Sequence, residues 1–295
     1  RSRAEAAPVG FAAVKALGQS GTTGGADGRT VEVSTASELL PLLGATEPLV
    51  IRVHGMLALP QPMQRVASDK TILGVGAHSG FSGGGLNIHT AHNIILRNLV
   101  FTGSPNDAIN IESSSHHVWV DHCDLSRAED GLLDIKRGSD YITVSWNHFH
   151  DHNKTALLGH DDNNEAEDSG HLRVTYHHNW FDGTTQRHPR ARFGEPVHVF
   201  NNYYLNNSYG VAAQMNAGGV VEDNYFENVR KPTRNDIHGT PGRIVQRRNI
   251  FVHCGPPVSF GTVTEPSTYY PYTMEDAAEA KASVMRGAGT GKLEF

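Results

Sequence analysis

The apolar positions of this chain fall into short runs rather than long amphipathic stretches. Several runs share one order: β-branched apolar residues, an Asn, then aromatic or large apolar residues. Ile94–Phe101, Ile142–Phe149, Val174–Phe181, Val199–Tyr204, Val221–Phe226 and Arg247–Phe251 follow it, and Val118–Leu125 puts Cys123 where the Asn belongs. Aligned on that position, residues 98, 123, 147, 179, 202, 224 and 249 are spaced by 25, 24, 32, 23, 22 and 25. The long step contains the polar stretch 161–170, about ten inserted residues, and discounting it restores a step near the others. A period in the twenties built from strand-like segments marks a solenoid. The leucine signature of leucine-rich repeats is missing. The pattern therefore predicts an all-β fold, a single-stranded right-handed parallel β-helix whose coils stack at roughly 4.8 Å. An Asn recurring at a bend can bond the Asn of the next coil in a ladder. Turns of an ordinary β-sandwich would not hold both the Asn and its aromatics in register.

Short capping helices are expected at the ends. Thr35-Ala36-Ser37-Glu38 has capping-box spacing, and Leu39, Leu40, Leu42 and Leu43 follow it. Thr273-Met274-Glu275-Asp276 opens a second, Ala-rich helical stretch over 273–287. Residues 1–30 read as an N-terminal extension, with 18–28 a Gly/Ser/Thr-rich loop, and residues 1–295 as one domain without a linker.

Composition narrows the class. Hydrophobic residues are 38% and charged residues 19%, which excludes a disordered chain. No stretch approaches eighteen apolar residues, so no membrane partner is expected. A net charge of −6 argues against a nucleic-acid binder, which works by phosphate neutralisation. Cys123 and Cys254 would lie five coils, roughly 24 Å, apart, too far for a disulfide, so both are expected to be buried free thiols. A chain that opens on Arg1 suits a processed secreted form and a fragment equally.

The coil period also sorts the charged residues by the edge they share. Asp107, Asp130, Lys154 and Arg187 are 23, 24 and 33 residues apart, the last about 23 without the insertion. They are predicted to form a line along four successive coils, with Asp134 and Arg192 a few residues further on the second and fourth. The carboxylate end suits a hard cation such as calcium, which takes six to eight oxygens. Gly131 would supply the bend that lets Asp130 and Asp134 share one ion, and both are expected on an exposed edge. The basic end, Gln186-Arg187-His188-Pro189-Arg190-Ala191-Arg192, suits a polyanion, because Arg binds carboxylates through two parallel bonds. Asp-Gly turns and salt-bridged Arg faces are common on their own. Their adjacency on one edge favours a metal bridging protein and anionic substrate.

These residues resemble a family. Val118-Trp119-Val120-Asp121-His122 is similar to the vWiDH motif of the polysaccharide lyase family 1 pectate lyases. Asp130–Ile135 with Tyr141–Trp146 resembles their calcium-site coil, and His152–His160 their H-x-K-x-x-L-x-G-H segment. Arg187–Gly194 with Val197–Asn202 resembles the R-x-P-x-x-R segment, and the likeness runs from about Thr30 to Lys292. The resemblance implies a secreted, monomeric, Ca²⁺-dependent pectate lyase that cleaves polygalacturonate by β-elimination. It implies Asp107, Asp130 and Asp134 as metal ligands and Arg187 as the base that takes the C5 proton of galacturonate. It further implies Lys154 and Arg192 as residues that grip substrate carboxylates. One departure is Pro105, where some relatives carry a further Asp. An arginine base needs its guanidinium pKa lowered from above about 12, which nearby cations would do, so alkaline activity is expected.

Competing readings are weighed on the same residues. Pectin lyase, acting on methylated chains without metal, has no use for the three Asp. A non-catalytic, polysaccharide-binding β-helix has no reason to align Lys154 and Arg187 over carboxylates. A polygalacturonase-like hydrolase would need two carboxylates flanking the bond, for which His160-Asp161-Asp162 is the nearest candidate, and the basic edge serves it poorly. His148, His150 and His152 alternate as zinc ligands on a strand can. They are read as stacked structural histidines, for lack of a matching open-site trio in the sequence.

Overall fold

Val, Ile and aromatic residues stack best on a pleated surface buried on its inner face, and here each short run becomes one strand of a coil. The computed structural model describes residues 2–3 and 7–295. One parallel sheet of ten strands runs from Arg29–Val33 through Leu49–Val53, His92–Arg97, His116–Asp121, Asp140–Ser145 and Val174–His177 to Arg243–Arg247. A second sheet carries two further stacks. One includes Val100–Ser104, Asp124–Ala128, His148–His150 and Trp180–Asp182, and the other Ile109–Glu112, Leu133–Ile135, Leu157–Leu158 and Arg190–Arg192. The long strand Tyr203–Gln214 pairs with both stacks and joins them. Each coil thus turns three corners, and the chain is a parallel β-helix.

The Asn ladder exists with one correction. Asn147 bonds Asn179 through Nδ2 at 3.1 Å, Asn179 bonds Asn202 at 3.0 Å, Asn202 bonds Asn224 at 3.0 Å and Asn224 bonds Asn249 at 3.1 Å. The Cys123 N–H donates to Asn147 Oδ1 at 2.9 Å, so the thiol does occupy the ladder position. Asn98 does not. Val100 pairs with Asp124, which puts Leu99 in line with Cys123 and leaves Asn98 one residue early. Asn98 shares instead the left-handed bend with His122, Trp146, His178, Asn201, Asp223 and Arg248, all with φ between 51° and 55°. Asn tolerates that region better than most residues, which suits Asn98 and Asn201 to the bend, while the ladder position beside it uses Asn for its amide bonds.

Inside the coils the aromatics stack upon one another. Phe149 and Phe181 lie 5.2 Å apart, Phe181 and Tyr204 4.8 Å, and Tyr204 and Phe226 4.4 Å. The first end is closed by the helix Ala36–Leu43, with Thr35 as N-cap accepting from the Glu38 N–H and Leu39 and Leu43 buried. The second helix differs from expectation. It spans Ala277–Gly287, begins after Asp276, and lies along the side of the solenoid with Val284 against Tyr203 rather than over its end. Residues 9–12 are likewise fastened to the ten-stranded sheet, through Phe11 N–H to Thr175 Oγ1 and Ala12 N–H to Thr143 Oγ1, both 3.0 Å. Both cysteines are free, but only Cys123 is buried, and Cys254 is half-exposed in the last coil.

Candidate active site

Four of the six singled-out residues come from one corner of the solenoid. Asp107 lies between Val100–Ser104 and Ile109–Glu112, and Asp130 between Asp124–Ala128 and Leu133–Ile135. Lys154 precedes Leu157–Leu158, and Arg187 precedes Arg190–Arg192. Asp134 and Arg192 sit within the strands that follow the corner.

Carboxylate oxygens of Asp107, Asp130 and Asp134 lie within 4.8 Å of one another. Asp107 accepts the Gly131 N–H at 2.9 Å, and Asp134 accepts the Leu157 N–H at 3.2 Å. A Cβ on residue 131 would stand 2.1 Å from Asp134 Oδ1, so only glycine lets the chain pass this carboxylate. Asp134 is not on the exposed edge expected for it: it is 3% exposed. Burial, and next the Asp107 carboxylate, push its pKa up to about 7. Burial likewise raises that of Asp107. Three close oxygen-donor carboxylates, two of them with pKa raised by burial, fit a hard divalent cation.

The basic side begins at the same atom. Lys154 Nζ lies 3.6 Å and Arg187 Nη1 3.8 Å from Asp130 Oδ1. Arg187 Nε is buried without a hydrogen-bond partner. A buried donor left unpaired is costly, and an incoming oxygen would satisfy it. Behind Arg187, the buried ring of His188 faces the Thr184 and Thr155 hydroxyls at 2.8 and 3.2 Å and donates through Nδ1 to the Tyr209 carbonyl at 2.8 Å. Arg192 stands apart from Asp130. Its Nε is held by Asp162 at 2.7 Å and its Nη1 by the Gly159 carbonyl at 2.8 Å, while Nη2 makes no bond among the described residues.

Three residues take parts that sequence spacing did not assign to them. His152 does not join an imidazole row; its Nε2 bonds the Asp130 carbonyl and ties down that corner. Lys136 acts electrostatically on both Asp107 and Asp134. Asp162, from the inserted stretch, also binds Gln214 at 2.9 Å and His238 at 2.9 Å. That engagement leaves Asp162 poorly suited to the acid role of a hydrolase, and Asp161 Oδ1 merely accepts the Asn163 N–H in a turn. His152 had a signal in its motif, and Lys136 stands two residues after Asp134, whereas the partners of Asp162 are distant in the chain.

A parallel β-helix with a carboxylate trio facing cationic side chains defines a protein that handles an acidic polymer on its flank. Comparison with known proteins makes the class specific. The pectate lyase family model matches residues 2–293. A pectate trisaccharide-lyase of Thermotoga maritima is 39% identical over 98% of this chain and 89% of its own. Pectate lyase A of Emericella nidulans is 37% identical over 98% and 88%. The crystal structure of pectate lyase Bsp165PelA from Bacillus sp. N165, in complex with trigalacturonate, superposes with a TM-score of 0.87 at 33% identity, covering 97% of this chain and 99% of that one. The chain belongs to the pectate lyase family.

Proposed function

We propose that the protein cleaves polygalacturonate by β-elimination and that calcium serves the reaction. In a chain of this family, the reading rests on one observation: Lys154 and Arg187 converge on Asp130 beside the Asp107 and Asp134 carboxylates.

The C5 proton of a galacturonate is α to a carboxylate and weakly acidic. In elimination a base takes that proton, the C4–C5 double bond forms, and the C4–O glycosidic bond breaks with its electron pair leaving on the oxygen. That oxygen then picks up a proton. Arg187 is the proposed base. The segment that carries it is anchored through His188, so the guanidinium is presented by fixed backbone. Lys154 is the proposed partner of the substrate carboxylate, neutralising charge that builds during proton removal. Arg192, with one arm bound to Asp162, offers Nη2 to a neighbouring uronate. Asp107, Asp130 and Asp134 would hold the calcium ion. When bound, calcium supplies fixed positive charge against the uronate carboxylate.

A polymer too large to enter a cell suits an extracellular location. The relatives named pectate trisaccharide-lyases make an unsaturated trisaccharide the expected main product. The test is ultraviolet absorbance of the unsaturated sugar during incubation with polygalacturonate. Absorbance should grow with calcium and stop with chelator; none under either condition overturns the reading.

A further inference from the structure

A second group of metal-ligating side chains lies on the face adjoining the catalytic corner. It draws one residue from Asp124–Ala128 and two from the next strand, His148–His150. One ligand atom from each of Asp124, His148 and His150 lies within 4.8 Å of the others, and all three residues are partly exposed. His150 Nε2 lies 2.8 Å from Asp124 Oδ1, and His148 Nδ1 lies 3.6 Å from Asp124 Oδ2. The outward nitrogens are both engaged by further carboxylates: His148 Nε2 bonds Asp182 at 2.8 Å, and His150 Nδ1 bonds Asp151 at 2.6 Å.

That arrangement orients both rings as a metal needs. A ligating imidazole usually gives its other N–H to a carboxylate, which orients the ring and turns its lone pair toward the ion. Here both rings have such a carboxylate at the outward nitrogen, and both inward nitrogens converge on Asp124, where an entering ion would replace the His150 N–H. We propose that Asp124, His148 and His150 form a transition-metal site that takes zinc, separate from the all-carboxylate trio around Asp130. Two imidazole nitrogens and one carboxylate oxygen, with an open position to solvent, suit zinc rather than calcium, whose ligands are oxygens. The alternation read from sequence contributes two ligands and not three, because His152 turns away to the Asp130 carbonyl.

Two features compete with the ion. His148 stacks on Trp180 at 4.4 Å, so that ring also serves the outer aromatic row. Without a metal, the hydrogen bond that His150 donates to Asp124 raises the pKa of His150 to about 9, and the entering cation must displace that proton. The experiment is therefore run at mildly alkaline pH, on chelator-stripped full-length protein titrated with zinc chloride against a chromogenic zinc chelator. One equivalent of zinc should bind to the wild type. His150→Gln and Asp124→Asn should each weaken it at least about 100-fold, and Asp182→Asn, which only orients His148, by about 10–100-fold. Asp130→Asn should leave zinc binding unchanged. Because Asp182→Asn spares every ligand, it keeps the test open if a ligand variant fails to fold. Absence of a stoichiometric site, retention of wild-type affinity in all three variants, or loss of zinc in Asp130→Asn would each overturn the proposal.

Discussion

Lys154 pairs across the coils with Gln186, not with Arg187, although Arg187 is the residue whose side chain joins it at Asp130. The offset between the two coils is 32 residues at Lys154↔Gln186 and 33 at Leu157↔Arg190. The extra residue is absorbed around Arg187, whose φ is 67°. A bulge of this kind re-aims a side chain and is frequent beside active sites. It costs backbone strain of about 1–3 kcal/mol, offset by the anchoring of His188 to Tyr209 and the two threonines.

From this geometry comes the prediction for Arg187→Lys. The amine keeps the charge but loses the planar fork and sits elsewhere. With Arg187 as base, kcat should fall about 10²–10⁴-fold while KM changes little. A raised KM with kcat retained would make Arg187 a carboxylate clamp instead. Lys154→Ala, by contrast, should worsen both parameters. Steady-state kinetics on polygalacturonate over a range of concentrations separates the cases.

For the carboxylate trio the cleanest probe is Asp130→Asn. Asp130 has 55% of its side chain exposed, so stability should stay within about 1 kcal/mol of wild type. The calcium concentration needed for half-maximal rate should rise at least tenfold. Asp134→Ala is a poorer probe because it also strands the partly buried Leu157 N–H. An unchanged calcium requirement in Asp130→Asn would remove Asp130 from the ligand set.

The Asn ladder should be strongest at its middle. Asn202 donates to the Tyr176 and Phe200 carbonyls and to Asn224, and it accepts from Asn179. Asn202→Ala leaves several of these groups buried and unpaired, at about 2–4 kcal/mol in total. Asn249→Ala, half-exposed at the ladder's end, should cost about 1 kcal/mol or less. Urea midpoints of the two variants test the ordering, and equal losses would contradict it.

Stability should fall in acid through histidines buried neutral. Burial lowers the pKa of His188 to about 3 and holds that of His177 well below its ordinary value. The unfolded chain protonates both near pH 6.5, so below that value it binds protons that the native state refuses. Their stabilisation is whole above about pH 6.5 and is lost progressively as the pH drops. Melting temperature should therefore decline steadily from neutral pH toward pH 4, and by less in His188→Gln if that variant folds. A flat profile would mean the fold opens to admit these protons.

The repeat, the corner and the acid–base polarity of the site were legible because strand pairing in a parallel coil converts sequence spacing directly into spatial stacking. What escaped was finer than one residue or longer than one coil. Asn98 looked like a ladder member because the left-handed bend and the ladder position next to it both accept Asn. The depth of Asp134 was hidden because a straight-strand reading cannot tell a corner's inside from its outside. The engagement of Arg192 by Asp162 depends on how the inserted stretch folds back, which no periodicity encodes. The helix Ala277–Gly287 carries the composition of a cap, but its flank of Ala280 and Val284 matches the aromatic side of the solenoid instead.

The central claim is that the glycosidic bond is broken by elimination at the Asp130 corner. Mass spectrometry of the oligosaccharides released from polygalacturonate with calcium measures this most directly. The account predicts fragments lighter by one water than the corresponding hydrolytic oligogalacturonates, formed by the wild type and almost absent with Arg187→Lys. Fragments of full hydrolytic mass, with no unsaturated species, would contradict it.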